Sequence, residues 1–237
     1  MDKKKVMDMS FNAEISRRRF VEAMGAVSAL GVMGLAGCGS QRASEAGSSS
    51  SSASGVADTI TFAQGADPRG LDPAYVDDGE SAKIMCNIYD TLLRYDTETC
   101  EVVAGLSEMP EISDDGLTYT FKLQEGVKFH DGTDCTASDV KFSLERAKEM
   151  PRVKQYVEQI DSISVEDDHN LTLHLAEPYA PLLAALSHTG TSIVPEAAVT
   201  AQGDAFWENP IGTGPMQFVE WVPNDHYSLK RFDDYFK

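Results

Sequence analysis

A serine-rich stretch, residues 40–55 with an unbroken run from Ser48 to Ser52, divides this chain into parts that obey different rules. Such a composition cannot bury enough apolar surface to offset the entropy lost on ordering, so it reads as a flexible tether. A folded core must therefore come from 58–237, a length that suits one domain.

The segment before the tether has its own logic. Lys3, Lys4 and Lys5 precede Ser16-Arg17-Arg18-Arg19-Phe20, and a modest apolar run follows from Val21 to Leu35, diluted by Gly25, Gly31 and Gly34. The run is shorter than the roughly 20 apolar residues of a membrane-spanning helix. Its basic start, short apolar middle and small-residue end fit a removable export signal. The paired arginines resemble a twin-arginine signal, with an ordinary Sec signal as the alternative. Leu35-Ala36-Gly37-Cys38 resembles the lipobox of bacterial lipoproteins, in which the cysteine carries a diacylglycerol. The expected layout is a signal peptide over 1–37, a lipidated Cys38 with its tether over 38–57, and a folded body over 58–237. Stable anchoring through acyl chains takes more than one chain. The body would then sit outside the cytoplasm, on the cell surface or in the periplasm, tied to the membrane.

Charge excludes one class of partner. The chain has 38 acidic and 20 basic side chains, a net of −18. Nucleic-acid binding needs clustered Lys and Arg, so no nucleic-acid partner is expected. Cys86, Cys100 and Cys135 remain in the body. Three is odd, so at least one lacks an intramolecular partner. Buried free thiols are the expectation, with one disulfide as the alternative. They are too scattered for a zinc site.

Within the body, strand and helix signals alternate. Thr59–Ala63 reads as an opening strand. Ser81–Arg94 reads as a helix, with Ile84, Ile88 and Leu92 four apart. After the Ser113-Asp114-Asp115-Gly116 turn, Leu117, Tyr119, Phe121 and Leu123 alternate with polar residues, which predicts a half-buried strand. Val127–His130 reads as a second short strand. Thr136 and Asp139 form a capping-box start, Val140, Leu144 and Ala147 an inward stripe, and Pro151 a stop. Ile160–Val165 and Leu171–Leu175 flank Asp167-Asp168-His169-Asn170 as a hairpin. Tyr179–Ser187 reads as helical, Pro195 as the first position of a short helix, Asn209–Pro215 as a loop, and Met216–Trp221 as a final strand. The mixture is α/β or α+β.

Several phrases together carry a resemblance. They are Gly105-Leu106-Ser107-Glu108, Asp114-Asp115-Gly116-Leu117-Thr118-Tyr119-Thr120-Phe121, Gly126-Val127-Lys128-Phe129-His130-Asp131-Gly132, Thr136-Ala137-Ser138-Asp139-Val140, and Pro210-Ile211-Gly212-Thr213-Gly214-Pro215. Phe218, Trp221 and Tyr235 follow. In order and spacing they resemble the bacterial extracellular solute-binding proteins of family 5, the peptide and nickel binders of ABC transporters. The resemblance implies an α/β fold of the periplasmic-binding-protein type (type II): lobe I with an inserted α+β subdomain. Residues 58–89 would open lobe I, 90–190 form the insertion, and 191–237 return to lobe I. By the same resemblance the chain is truncated before lobe II.

The resemblance implies a receptor that captures oligopeptides or dipeptides outside the membrane. It would act as a monomer and hand ligand to an ABC permease driven by separate ATPase subunits. Such a protein needs no cofactor and no catalysis. Its ligand-side residues would be Asp77, Asp78 and Gly79, after Leu71-Asp72-Pro73, and Tyr156, which lies near a region where some members of the family place a ligand-facing tyrosine. A solvated acidic turn capping a helix is the alternative for the first three, and packing for Tyr156. The match makes His130 a hydrogen-bonded turn residue. His169 and His174 straddle a strand start and should point to opposite faces. A nickel or other small-solute binder, or a non-functional fragment, remains an alternative. An enzyme is disfavoured, since no G-x-S-x-G, H-E-x-x-H or P-loop is present.

Overall fold

In the computed structural model, which describes residues 59–237, the alternating segment after the Asp-Gly turn lies at the centre of a sheet. The elements run α1 (Gly79–Ile88), β1 (Leu93–Tyr95), β2 (Val102–Ala104), β3 (Glu111–Ile112), β4 (Thr118–Lys122), α2 (Ala137–Glu149), β5 (Ile160–Val165), β6 (Asn170–Leu175), α3 (Leu182–Ala185), α4 (Glu196–Gln202), β7 (Met216–Val222) and β8 (His226–Arg231). Three antiparallel sheets result: β1-β2, the four-stranded β3-β4-β6-β5, and β7-β8. The expected export signal, lipobox Cys38 and tether lie outside the described residues.

Register explains why the large sheet holds. Tyr119 pairs with Leu173 and Phe121 with Leu171, while Ile163 and Val165 meet the same two leucines from β5. Cross-strand apolar pairs therefore stack on one face. The stripe Val140, Leu144 and Ala147 of α2 closes that face, and all are buried in one cluster with them. Thr136 begins α2 as expected: its N–H and Oγ1 donate to Asp139 Oδ2 at 3.0 and 2.8 Å. The other Asp139 oxygen accepts from Glu196 N at 3.0 Å, so one carboxylate caps two helices.

A second cluster gathers Leu71, Val76, Ile84, Met85, Ile88, Tyr89, Val194, Val199 and Phe206, with Phe218, Trp221, Tyr227 and Leu229 of the β7-β8 hairpin packed on it. The helix over 81–94 is shorter than its apolar spacing suggests. It ends at Ile88, where Tyr89 turns extended. Leu92 still faces inward, but into the first cluster. The spacing continues through the break because each turn of chain meets a different core.

Other expectations are corrected. Thr59–Ala63 pairs with no described strand, and Ile60 and Phe62 are 88% and 65% exposed. Alternation alone gives no ladder, and an unpaired strand gains no cross-strand contacts. Val127–His130 buries Val127 and Phe129 but makes only the Lys128–Asp134 bridge. Gly126 and Gly132, both at positive φ, bound it too closely for a ladder. Only Leu182–Ala185 of the 179–187 segment is α-helical. Pro181 disfavours the helical region at Ala180, the residue before it, so the helix starts only after the proline. Pro195 is the residue before α4, with extended ψ, and not its first helical position. β7 is followed by β8, so it is not the final strand. All three body cysteines are free, but only Cys135 is buried. Cys86 lies on the outer side of α1, two residues from inward-facing Ile84, and Cys100 sits in a turn at φ 60°.

Candidate functional site

The loop from Leu71 to Asp78 is fixed at both ends. At its start, Asp72 is met by a fork of two nitrogens from Arg146 on α2: Nη1 to Oδ1 at 2.8 Å and Nη2 to Oδ2 at 2.5 Å. The pair is almost dry, with side chains 5% and 13% exposed. Asp72 Oδ1 also accepts from Ala74 N at 3.0 Å, which tightens the turn. The Arg146 guanidinium lies over the Tyr75 ring, 5.4 Å from its centroid. The Tyr89 hydroxyl donates to the Leu71 carbonyl at 2.8 Å.

At the loop's far end, Asp78 is the N-cap of α1. Its Oδ1 accepts from Ser81 N at 3.0 Å and its Oδ2 from Ser81 Oγ at 2.8 Å. Partial burial raises the carboxyl pKa, but the Ser81 hydrogen bonds outweigh it and the nearby Arg69 adds to them, so the net shift is downward. The cap thus stabilises the fold above the ordinary carboxylate range, and its contribution disappears as pH falls through the lowered folded value. Asp78→Ala is expected to cost about 1 kcal/mol at neutral pH. Urea unfolding should show the difference from wild type shrinking as pH is taken below the carboxylate range. A constant difference would mean that the charge plays no part in the cap.

Between these anchors Asp77 is exposed. Its Oδ1 lies 3.5 Å from Arg152 Nη1, with side chains 33% and 56% exposed. A pair this open is worth about 0–1 kcal/mol. Tyr156 occupies the short 3-10 turn Lys154–Tyr156 and stacks on His188, centroids 3.9 Å apart and planes 22° apart. His188 Nδ1 accepts from Gly190 N at 3.0 Å. Gly190 must be small: a Cβ there would lie 2.6 Å from Val153 Cγ1. Burial lowers the His188 pKa, and the charge of nearby Asp77 acts in the opposite direction.

Asp77 thus faces Arg152 and Tyr156 faces His188, while Asp78 turns into its own helix. Gly79 is exposed, and a methyl there would touch no described atom within 4 Å. Arg152 and His188 were not singled out from the sequence. Each gains its meaning from a partner distant in the chain, and no local pattern marks it.

Two motifs have structural roles. His130 Nε2 donates to the Gly214 carbonyl at 2.8 Å and its Nδ1 accepts from Gly212 N at 3.4 Å, so the ring clasps two loops together. Burial lowers its pKa, partly offset by the Gly214 carbonyl. His169 lies in the turn before β6, and His174 on β6 contacts Ser164. Among the described residues no three His, Cys, Asp or Glu side chains stand close enough to share a metal. None of the described helices is long and apolar enough to cross a membrane.

Comparison with known proteins agrees with the fold. The profile of the bacterial extracellular solute-binding proteins, family 5 (middle), matches residues 101–237. The chain belongs to this family. Its fold is the α/β fold of periplasmic binding proteins. The glutathione-binding protein GsiB of Pectobacterium atrosepticum is 34% identical over 76% of this chain, which spans 36% of that relative's length. The peptide-bound DppA of Helicobacter pylori superposes with a TM-score of 0.67 at 34% identity, covering 73% of this chain and 39% of that one. NikZ of Campylobacter jejuni, in complex with Ni(L-His), gives 0.65 at 29% identity, covering 72% and 34%. The chain therefore spans about a third of the length of the curated relatives it matches. Family 5 is a family of solute-binding proteins of ABC transporters, and these three relatives are named for or shown with glutathione, a peptide and Ni(L-His).

Proposed function

We propose that this chain supplies part of the ligand site of a peptide receptor. Peptides are captured outside the membrane and passed to an ABC permease powered by separate ATPase subunits, with no chemistry performed on them. In this reading residues 58–89 and 191–237 belong to lobe I and 90–190 to its insertion. Lipidated Cys38 tethers the body to the membrane.

The observation that carries the reading is the exposed Asp77 carboxylate, on a loop fixed between the Asp72 and Asp78 anchors. A carboxylate accepts charge-assisted hydrogen bonds from a peptide amine. The open backbone at Gly79, which packing among the described residues does not require to be glycine, lets an extended ligand approach the chain. GsiB and DppA are named for a tripeptide and shown with a peptide. NikZ is shown with Ni(L-His), but among the described residues no three His, Cys, Asp or Glu side chains stand close enough to share a metal.

Thermal unfolding of the purified chain with tri-alanine and with glutathione tests this. At ten times Kd a ligand adds about 1.4 kcal/mol, which raises Tm by about 3–6 °C in a domain of this size. A saturable rise is expected with at least one of the two. A folded protein that shows no rise with either at about 10 mM contradicts the reading.

A further inference from the structure

His130 joins two loops through a ring whose nitrogens have opposite duties. Its Nδ1 accepts the Gly212 N–H at 3.4 Å, and its Nε2 donates to the Gly214 carbonyl at 2.8 Å. Only the neutral ring with its proton on Nε2 can do both. The His130 backbone adds to the joint: its N–H donates to the Gly212 carbonyl at 2.9 Å, and its carbonyl accepts from Gln217 Nε2 at 2.8 Å. Phe232 meets the ring edge-on, with centroids 5.0 Å apart. Gly212, Thr213 and Gly214 are all buried, and the Gly214 N–H seats them on the Ile88 carbonyl at the end of α1.

Protonation undoes half of this arrangement. A proton on Nδ1 takes up the lone pair that receives the Gly212 N–H, and two donors then face each other. The Gly212 N–H has no other acceptor among the described residues. It is buried, so its loss carries the full desolvation cost unless the loop moves. The second grip on the loop behaves differently. Thr213 Oγ1 donates to Asp90 Oδ2 at 3.1 Å, and a carboxyl keeps a carbonyl acceptor in either protonation state. Asp90 is also faced by the Tyr235 hydroxyl, 3.3 Å from Oδ1, by the charges of Arg94 and Lys237, and by the Cys135 thiol. The hollow beside the imidazole is lined by Asp131, Lys230, Arg231, Asp233 and Asp234. Burial, the largest effect on the ring, favours its neutral form, while the charge of Asp131 favours the protonated one.

We propose that His130 is a proton-sensitive clasp, which holds the 210–215 loop on the end of α1 when neutral and releases it when protonated. A released ring titrates at its ordinary value of about 6.5, and the clasped ring titrates lower. Closure is therefore at full strength above about pH 6.5 and weakens as pH falls below it. The weakening levels off once the clasped ring is protonated as well. α1 starts beside the loop proposed to meet ligand and ends under this one, so the clasp acts at the opposite end of the helix. It does not depend on that proposal.

His188 Nδ1 accepts from Gly190 in the same manner, so the test must be local. Amide hydrogen exchange of the whole chain at pH 7.5 and 5.0, corrected for intrinsic rates, supplies one. Protection of the 210–215 loop is expected to fall about tenfold at the lower pH, while that of α2 stays within about twofold. His130→Gln carries a donor and an acceptor in an amide that does not titrate, so its loop should show no such fall. An equal fall in this variant overturns the proposal, as does unchanged protection in the wild-type loop. If the variant loosens the loop at both pH values or does not fold, nitrogen-15 shifts of the wild-type imidazole decide. A bare Nδ1 at pH 7.5 that gains its proton over the range where the loop loses protection supports the clasp. A proton on Nδ1 at pH 7.5, or a ring that titrates without change in the loop, overturns it.

Discussion

Asp72→Ala should lower the unfolding free energy by about 3–5 kcal/mol, or roughly 10 °C in Tm. The carboxylate is 5% exposed and takes both forks of Arg146. Deleting it strands a guanidinium that is itself nearly dry, and the cost of a buried unpaired charge exceeds the net worth of the pair. The loop turn suffers too, because the Ala74 N–H loses its acceptor. The double replacement Asp72→Leu with Arg146→Met separates these contributions. It removes both charges, fills the space, and should be less damaging than Asp72→Ala alone. Urea unfolding of the three variants measures this. A loss below about 1.5 kcal/mol for Asp72→Ala would mean that Arg146 finds water, and that the pair is less enclosed than its exposure indicates. In the proposed ligand site the same variant reaches function too, because the Asp72 anchor fixes the loop that carries Asp77. Ligand affinity should therefore fall along with stability.

The parts of the fold legible in the sequence are those where a pattern and its terminators agree. Tyr119 and Phe121 alternate with Thr118 and Thr120, and an Asp-Gly turn precedes them. The α2 stripe has Thr136 and Asp139 before it and Pro151 after it. The hairpin of β5 and β6 has Asp167 in its turn, where Oδ1 accepts from His169 N and Asn170 N. Local chemistry settles such elements without help from the rest of the chain. β1, β2 and β3 have two or three residues each, too few to show alternation. β8 reads His-Tyr-Ser-Leu-Lys-Arg, which is polar enough to pass for loop, and only its pairing with β7 makes it a strand. Thr59–Ala63 errs in the opposite direction, having the pattern but no partner.

The candidate site divides along the same line. Asp77, Asp78, Gly79 and Tyr156 came from resemblance to a family, not from any local pattern. The structure separates Asp78, whose capping of α1 is evident, from Asp77, which has no such duty. Arg152 follows Pro151 in an exposed stretch, and His188 stands among small polar residues. Nothing in their neighbours distinguishes them from solvated surface. Their relevance arises when the turn at 153–157 packs against the turn at 188–191, a contact made through Gly190 and Val153. Tertiary contacts of this kind are invisible to periodicity.

Gly212→Ala is expected to be about as damaging as losing Asp72, at about 3 kcal/mol or more. A Cβ at Gly212 would lie 2.1 Å from the Ile88 carbonyl oxygen and 2.6 Å from Tyr89 Cδ1. The first is backbone at the end of α1, and it cannot rotate away. That carbonyl already accepts the Gly214 N–H at 2.9 Å. Restoring ordinary contact means lifting the loop off the helix end. Lifting it pulls on the Gly212 carbonyl held by His130 N, the Gly214 carbonyl held by His130 Nε2, and Thr213 Oγ1, which donates to Asp90. One methyl group therefore disturbs several hydrogen bonds at once. Gly79→Ala is the matched control, because a methyl there meets nothing and should change stability by no more than about 0.5 kcal/mol. Chemical unfolding of both variants decides the matter. If Gly212→Ala is as mild as Gly79→Ala, the loop is not seated on α1 as described. If it is severe, the two glycines of Gly-Thr-Gly serve the approach of one backbone to another, which is the same freedom that a phosphate-binding loop uses to approach a ligand.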